Sequence, residues 1–145
     1  GDDFASSVGI GAVISTKFTW PNEGRGKDAN FRLTAEREAV WRKWADIYNA
    51  KMLPKGQYMG ELYDIGFDKP EAHAVEKDGR LYYAFYAPEW DGQVELRGLG
   101  EGGYRLTDYF NGADLGTVTA EAARIPARFQ RFLLIEAVPM QGAHA

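Results

Sequence analysis

Hydrophobic positions follow two different periods along the chain, and the change falls near residue 56. Before it, apolar residues recur at three- and four-residue spacing, which predicts an amphipathic helix. These positions are Val40, Trp41, Trp44, Ile47, Tyr48 and Met52. Thr34 is a suitable N-cap, Glu38 and Arg42 lie one turn apart on the polar face, and Pro54 ends the helix.

A second apolar segment, VGIGAVISTKFT from Val8 to Thr19, is rich in β-branched residues and has no polar face. It predicts one buried strand, which ends at Trp20 and Pro21 because proline cannot continue a β ladder. A strand that is apolar on both faces is typical of a parallel sheet covered by helices on each side.

After residue 56 the hydrophobic period is two, which predicts strands. The predicted strands are residues 71–77, 80–87, 93–97, 104–109 and 129–138. Turn signals separate them, at Asp78-Gly79, Asp91-Gly92, Gly102-Gly103 and Asn111-Gly112. Asp-Gly and Asn-Gly accept the positive φ angles of tight hairpins. Short strands at this spacing predict an antiparallel β-sandwich or meander.

The chain is therefore predicted to be mainly β, α+β overall, with two unlike parts. Residues 1–55 are a strand, a loop and a helix, residues 56–140 are an antiparallel β domain, and residues 141–145 are a tail. One strand and one helix cannot bury their own apolar surfaces, so we expect them to be the last strand and helix of a (β/α)8 barrel. The first residue is Gly and no signal-peptide pattern follows it, which fits either the remnant of an engineered tag or a chain cut from a longer one.

Both parts resemble α-galactosidases of the melibiase type, in glycoside hydrolase family 36 and its clan D relatives. The runs VGIGAVISTKFTWP and LTAEREAVWRKWADIYNAKMLPKGQYMGELYDIGFDKPEAHAV are similar to the end of the catalytic barrel in that family. The run VELRGLGEGGYRLTDYFNGADLG is similar to its C-terminal β domain. The resemblance, which extends from Gly9 to Pro139, implies a C-terminal fragment whose β domain buttresses the barrel.

The resemblance also implies an activity, the hydrolysis of a terminal α-galactoside with retention by two Asp residues. Such a pair stands about 5 Å apart across the scissile bond, one residue as nucleophile and the other as acid/base. The strand and motif of the nucleophile are absent from this sequence, so the fragment is expected to be inactive alone. Asp2 or Asp3 is a candidate acid/base in the intact enzyme. The alternative is that both are solvated terminal residues.

Two further candidates, Lys17 and Trp20, lie at the C-terminal end of the predicted barrel strand. In (β/α) barrels this end faces the active site. In the intact enzyme, Trp20 would stack on a sugar and Lys17 would bind a hydroxyl. The alternative places Trp20 under the following loop and Lys17 in solvent.

An aromatic cluster in the β domain raises a different hypothesis, a non-catalytic carbohydrate-binding module. The cluster comprises Tyr82, Tyr83, Phe85, Tyr86 and Trp90. Strand alternation places Tyr83 and Phe85 on one face and Tyr82 and Tyr86 on the other. A sugar-binding module requires one face to present a row of exposed rings. A non-catalytic interaction domain is a third hypothesis, which the sequence neither supports nor excludes.

Composition limits the partners and cofactors. The 145 residues carry a formal charge of −4, which argues against nucleic-acid binding because no basic excess is present. No apolar run approaches the length of a membrane span, and the absence of Cys excludes thiolate metal sites and disulfides. His73 has no neighbouring ligands, and Asp64, Asp68 and Glu71 lack the spacing of a calcium loop, so we expect no metal and no cofactor.

The expected partner of the intact enzyme is therefore a carbohydrate, an α-galactoside. In isolation, the surface that a missing barrel leaves uncovered is expected to be apolar and to favour dimerisation.

Overall fold

The computed structural model describes Ala5, residues 8–12 and residues 35–140, without the side chains at positions 35–37 and 41. One long helix precedes a β domain. The elements are helix α1 (Ala35–Lys51), a 3-10 turn (Leu53–Lys55), and strands β1 (Gln57–Tyr58), β2 (Glu71–Lys77), β3 (Arg80–Glu95), β4 (Gly103–Asp108), β5 (Ala113–Thr119) and β6 (Arg124–Pro139).

The six strands form one antiparallel sheet in the order β1-β2-β3-β6-β4-β5. The last strand, β6, lies between β3 and β4, so the sheet is not a simple meander. The predicted mainly β fold is confirmed. The predicted hairpin at Asp78-Gly79 is confirmed as well, since both residues have positive φ (55° and 79°) and Lys77 pairs with Arg80.

Strands β3 and β6 form a long ribbon that folds back on itself. The Tyr83 hydroxyl donates to the Arg97 carbonyl at 2.5 Å, although 14 residues of extended strand would span about 45 Å. The register shifts between Ala87 and Trp90, where a bulge allows the ribbon to bend. Residues from before and after the bulge meet in one inner core, which gives the domain its sandwich-like character. This inner core includes Tyr83, Phe85, Val94, Leu96, Leu106, Ile125 and Ile135.

A second core lies on the outer face of the sheet, under helix α1. Trp44 of the helix is 1% exposed, and Ile47 and Tyr48 pack beside it. The sheet contributes Val75, Tyr82, Ala84, Tyr109 and Leu134 to this outer core. The predicted helix is therefore confirmed together with most of its apolar face. Val40 is an exception, because it is 45% exposed, and the side chain of Trp41 lies outside the described residues.

The predicted strand from Val8 to Thr19 is wrong at its start. Val8 and Gly9 are helical, as is Ala5, and a turn follows at Ile10 and Gly11. A Cβ at Gly9 would lie 2.7 Å from the Ala84 Cβ and 2.9 Å from Leu134 Cδ2, so the helical turn packs flush on the outer face. A short apolar run has the same pattern in a buried helix and in a buried strand, which explains the error. Residues 13–19 lie outside the described part of the chain.

Strands β1, β3 and β5 also differ from the sequence prediction. Asp91-Gly92 is not a turn, because both residues lie within β3 and pair with Arg128 and Ala127. The two predicted strands, 80–87 and 93–97, therefore belong to one continuous strand, β3, which ends at Glu95. Strands β1 and β5 were not predicted, since β1 has two residues and six of the seven residues in β5 are not buried. Short or solvent-exposed strands lack the alternation of apolar and polar residues on which the prediction of a strand depends.

Candidate functional site

The predicted catalytic and substrate-binding residues lie outside the described part of the chain. These residues are Asp2, Asp3, Lys17 and Trp20. They remain predictions from the resemblance. The described residues form other clusters with one another, and these are the candidate sites that the structure shows.

The aromatic cluster forms part of both cores. Tyr83 and Phe85 are 0% and 1% exposed in the inner core, where their rings stack with centroids 6.2 Å apart. Tyr82 is 4% exposed in the outer core, and Tyr86 and Trp90 are partly buried. The predicted alternation of faces is confirmed. No row of exposed rings results from this cluster, so a stand-alone carbohydrate-binding module is not favoured.

A buried carboxylate joins helix α1 to the sheet. Glu136 on β6 is 6% exposed, and its Oε1 accepts a hydrogen bond from Lys51 Nζ at 3.0 Å. Its Oε2 accepts from Arg80 Nη1 at 2.7 Å and from the Tyr82 hydroxyl at 3.1 Å. Lys51 is the last residue of α1, where a cation also interacts favourably with the helix dipole. The contact therefore fixes the C-terminal end of the helix on the sheet.

The charges of this cluster shift the pKa values of its members. Burial alone would raise the pKa of Glu136, but hydrogen bonds from Lys51 and Arg80 outweigh burial and hold it below its usual value. Burial and the Glu136 charge raise the pKa of Tyr82 to about 12. Glu136 is therefore ionised near neutral pH while Tyr82 stays protonated and donates. Glu136 was not among the predicted site residues, although the signal was present as a carboxylate inside the apolar run FLLIEAV.

Aromatic packing fixes the middle of the helix. The ring of Trp44 lies 4.5 Å from that of Phe110 and 5.4 Å from that of Phe132, measured between centroids. Lys43 Nζ lies 3.8 Å from the centroid of the Phe110 ring, within the range of a cation–π contact. The helix is thus attached to the sheet at two places, one apolar and one ionic.

An ion pair braces the loop between β1 and β2. The Arg97 guanidinium donates to both Asp68 oxygens, at 2.9 and 3.0 Å, and to the Leu62 carbonyl at 2.9 Å. The hydrogen bond from Arg97 holds the pKa of Asp68 below its usual value. Asp68 also accepts from the Asp64 backbone, which closes the loop into a compact turn.

A polar triad lies on the outer face near the bulge. The imidazole of His73 is hydrogen-bonded to both partners of the triad, with Nδ1 2.6 Å from the Tyr58 hydroxyl and Nε2 2.6 Å from Glu71 Oε2. His73 was predicted to have no neighbouring ligands, and the structure shows two hydrogen-bond partners. The i, i+2 spacing of Glu71 and His73, which places them on one face of a strand, was the available signal. Tyr58 reaches them because β1 pairs with β2.

None of these clusters has the form of a metal centre or a catalytic carboxylate pair. Among the described residues, no group of three or more His, Asp or Glu side chains is arranged to hold a metal ion. In the same residues, no helix is long and apolar enough to cross a membrane. The clusters described here instead hold helix α1 on the sheet and brace a loop. The third is the polar triad of Tyr58, His73 and Glu71.

Comparison with known proteins gives one strong sequence match. The chain is 35% identical over 143 residues to the A type blood α-D-galactosamine galactosaminidase of Flavonifractor plautii. The alignment covers 93% of this chain and 12% of that relative, so this chain spans a small part of the relative's length. No protein-family model matches the chain.

Two solved structures share the fold. A proposed α-N-acetylgalactosaminidase from Bacillus halodurans aligns over 75% of this chain and 25% of its own, with a TM-score of 0.53 and 12% identity. An α-amylase from Anoxybacillus aligns over 78% of this chain and 25% of its own, with a TM-score of 0.50 and 18% identity. At such low identity these likenesses concern the fold alone.

Proposed function

We propose that this chain, a portion of a galactosidase-like glycoside hydrolase, is the C-terminal part of that enzyme and braces its catalytic barrel. Residues 1–55 would supply the end of the barrel, residues 56–140 the β domain and residues 141–145 a tail. The observation that carries the proposal is the double attachment of α1 to the sheet, through Trp44 and through the Lys51–Glu136 ion pair. A helix held in this way transmits the rigidity of the β domain to any barrel of which it is part.

The relatives and the resemblance support a proposal for the substrate class. The matched enzyme is named for an α-linked amino sugar of the galacto series, and the resemblance implies a terminal α-galactoside. We propose that the intact enzyme hydrolyses a terminal α-linked galactose or a 2-amino derivative of it, with retention. Asp2 or Asp3 would supply the acid/base, and Lys17 and Trp20 would contact the sugar.

The chain alone is expected to lack this activity, because the resemblance places the nucleophile on an earlier barrel strand. With p-nitrophenyl α-galactoside or α-N-acetylgalactosaminide, release of nitrophenol should equal that of a buffer blank. The longer polypeptide that contains this segment should hydrolyse one of the two. Turnover by the chain alone, or no turnover of either substrate by the longer polypeptide, would refute the proposal.

The loop braced by Arg97 is a candidate contact with the rest of the enzyme. Ile65 and Phe67 at its tip are 51% and 81% exposed, and the Asp68–Arg97 pair holds the loop closed. A rigid loop that presents two apolar side chains to water suits a surface that another domain covers. We propose that this surface faces the barrel, and that it supports a dimer when the chain is isolated.

The dimer can be tested by sedimentation velocity at increasing protein concentration. The wild-type chain should show a concentration-dependent increase in sedimentation coefficient, and Ile65→Ser with Phe67→Ser should remain monomeric. Val40→Ser, which changes an exposed apolar residue on α1, is the matched control and should dimerise as the wild type does. A monomeric wild type, or a double variant that still dimerises, would contradict this assignment.

A further inference from the structure

A cavity of about 470 Å³ opens on the outer face beside the polar triad. Its lining includes Ala5, Glu71, His73, Tyr86, Arg131 and Phe132. Cavities of about 300 to 1,000 Å³ with a mostly apolar wall and a few polar groups are typical of small-molecule sites. The wall here has this mixture, with two aromatic rings, a carboxylate, an imidazole and a guanidinium.

The carboxylate of Glu71 is held in place with one oxygen available. Its Oε2 is bound by His73 Nε2, and His73 is fixed from its other side by the Tyr58 hydroxyl. Within residues 35–140 and the described N-terminal residues, Oε1 of Glu71 has no hydrogen-bond partner. The Glu71 side chain is 49% exposed, so Oε1 is open to a ligand. A fixed acceptor of this kind recognises a hydroxyl group with little loss of side-chain entropy.

Aromatic side chains flank that acceptor in a defined row. Glu71 pairs with Tyr86 across β2 and β3, and Tyr86 pairs with Phe132 across β3 and β6. The three side chains therefore lie beside one another on one face of the sheet. A carboxylate next to aromatic rings matches a molecule that has hydroxyl groups at its edge and a C–H surface on its face, which is the chemistry of a pyranose ring.

The backbone at the rim of the cavity adopts an unfavourable conformation. Arg131 has φ of 74°, in the left-handed region that side chains other than glycine rarely occupy. It pairs with Ala87 at the edge of the bulge, and both residues line the cavity. The irregular backbone beside the bulge therefore forms part of the cavity rim, and Arg131 contributes to the lining.

We propose that this cavity binds a monosaccharide-sized pyranose. Glu71 Oε1 accepts hydrogen bonds from neighbouring hydroxyl groups, the rings of Tyr86 and Phe132 contact the apolar face, and the triad with Tyr58 orients the carboxylate. The site differs from a flat platform of exposed rings, because the ligand enters a cavity. The inference goes beyond the hydrolase activity proposed above and needs no catalysis, so either can fail while the other stands.

The test is a titration of the 145-residue chain with methyl α-galactopyranoside, methyl α-glucopyranoside and the open-chain polyol galactitol. The chain contains two histidines, so the ring-nitrogen NMR signals of His73 are readily assigned with a His144→Gln variant. We expect a saturable shift of the His73 signals, with a dissociation constant of about 1 to 10 mM for at least one glycoside. Galactitol should bind more weakly, because it has no ring face.

Three variants make the result specific. Glu71→Gln replaces one acceptor oxygen by a donor and should weaken binding about tenfold. Ala87→Trp adds a bulky side chain at a residue that lines the cavity and is not part of the triad, and it should weaken binding. Glu76→Gln removes the same charge from an exposed position of the same strand and should bind as the wild type does.

The unfolding midpoint of each variant is measured in parallel, so that loss of the fold is not mistaken for loss of the site. The proposal is overturned if neither glycoside gives a saturable shift up to about 100 mM. It is also overturned if folded Glu71→Gln and Ala87→Trp bind the glycoside as tightly as the wild type, or if galactitol binds best.

Discussion

Replacing Trp44 with alanine is expected to lower the free energy of unfolding by about 3 to 5 kcal/mol, the usual range for a buried Trp. Trp44 is 1% exposed and contacts Phe110 and Phe132, so its removal leaves a cavity between α1 and the sheet. A small domain has a total stability of only about 5 to 15 kcal/mol, so this one substitution removes a large part of it. Urea denaturation followed by circular dichroism measures the change.

Val40→Ala is the matched control for this prediction. Val40 lies one turn earlier on the same helix and is 45% exposed, so its truncation should change the free energy of unfolding by less than about 0.5 kcal/mol. Trp44→Phe retains an aromatic ring, so it should lower the free energy of unfolding less than Trp44→Ala does. It can still be compared with Val40→Ala if the alanine variant does not fold. Equal midpoints for Trp44→Phe, Val40→Ala and the wild type would show that α1 does not contribute to stability through Trp44.

Replacing Glu136 with glutamine is expected to lower the free energy of unfolding by about 2 kcal/mol, because the charged hydrogen bonds from Lys51 and Arg80 are lost or weakened. The cost stays below that of a fully buried ion pair, since the side chains of Lys51 and Arg80 are 25% and 46% exposed and regain water. Glu76→Gln, at an exposed position, should change the free energy of unfolding by less than about 0.5 kcal/mol. A Glu136→Gln variant as stable as Glu76→Gln would refute the role assigned to this ion pair.

The same substitution should change how stability depends on pH. The pKa of Glu136 is lower in the folded chain than its ordinary value of 4.5. Its contribution to stability is therefore fully present above pH 4.5 and is lost as the pH falls through the lower, folded pKa. Between neutral pH and about pH 3, the wild type should lose more stability than Glu136→Gln does. Parallel curves for the two proteins would contradict this assignment.

Lys51→Met separates the attachment of the helix from the rest of the Glu136 cluster. If the Lys51–Glu136 pair is the tether, the losses in Lys51→Met and Glu136→Gln should not add in the double variant. If the losses of unfolding free energy add, Glu136 stabilises the fold through its contacts with Arg80 and Tyr82 in the sheet and not through Lys51. This cycle tests the contact on which the proposed bracing role depends.

Much of the local structure follows from the sequence pattern. The period of the apolar residues identified helix α1, and the strand 71–77 matches β2 in both bounds. The Asp78-Gly79 hairpin and the opposite faces of Tyr82 and Tyr83 are also as predicted. These features depend on neighbours within a few residues, which a single sequence displays directly. The resemblance to α-galactosidase-type hydrolases is confirmed by the 35% identity with the galactosaminidase of Flavonifractor plautii.

Pattern alone failed where the tertiary environment decides. The apolar pattern of Val8 and Gly9 is equally compatible with a strand, and close packing of Gly9 on Ala84 and Leu134 accompanies the helical turn that is found instead. Asp91-Gly92 carries a hairpin signal, but the pairing of β3 with β6 continues through it. In both cases a long-range contact overrode a local preference.

The helix, most of the strands and their buried faces follow from the sequence pattern alone, as does the resemblance to glycoside hydrolases. Which side chains meet depends on long-range contacts, because the period of a strand defines its face but not its partners. Lys51 and Glu136 are 85 residues apart in the chain, and Tyr58 reaches His73 only because β1 pairs with β2. The attachment of α1 and the cavity beside Glu71 both arise from such contacts, which no local pattern records.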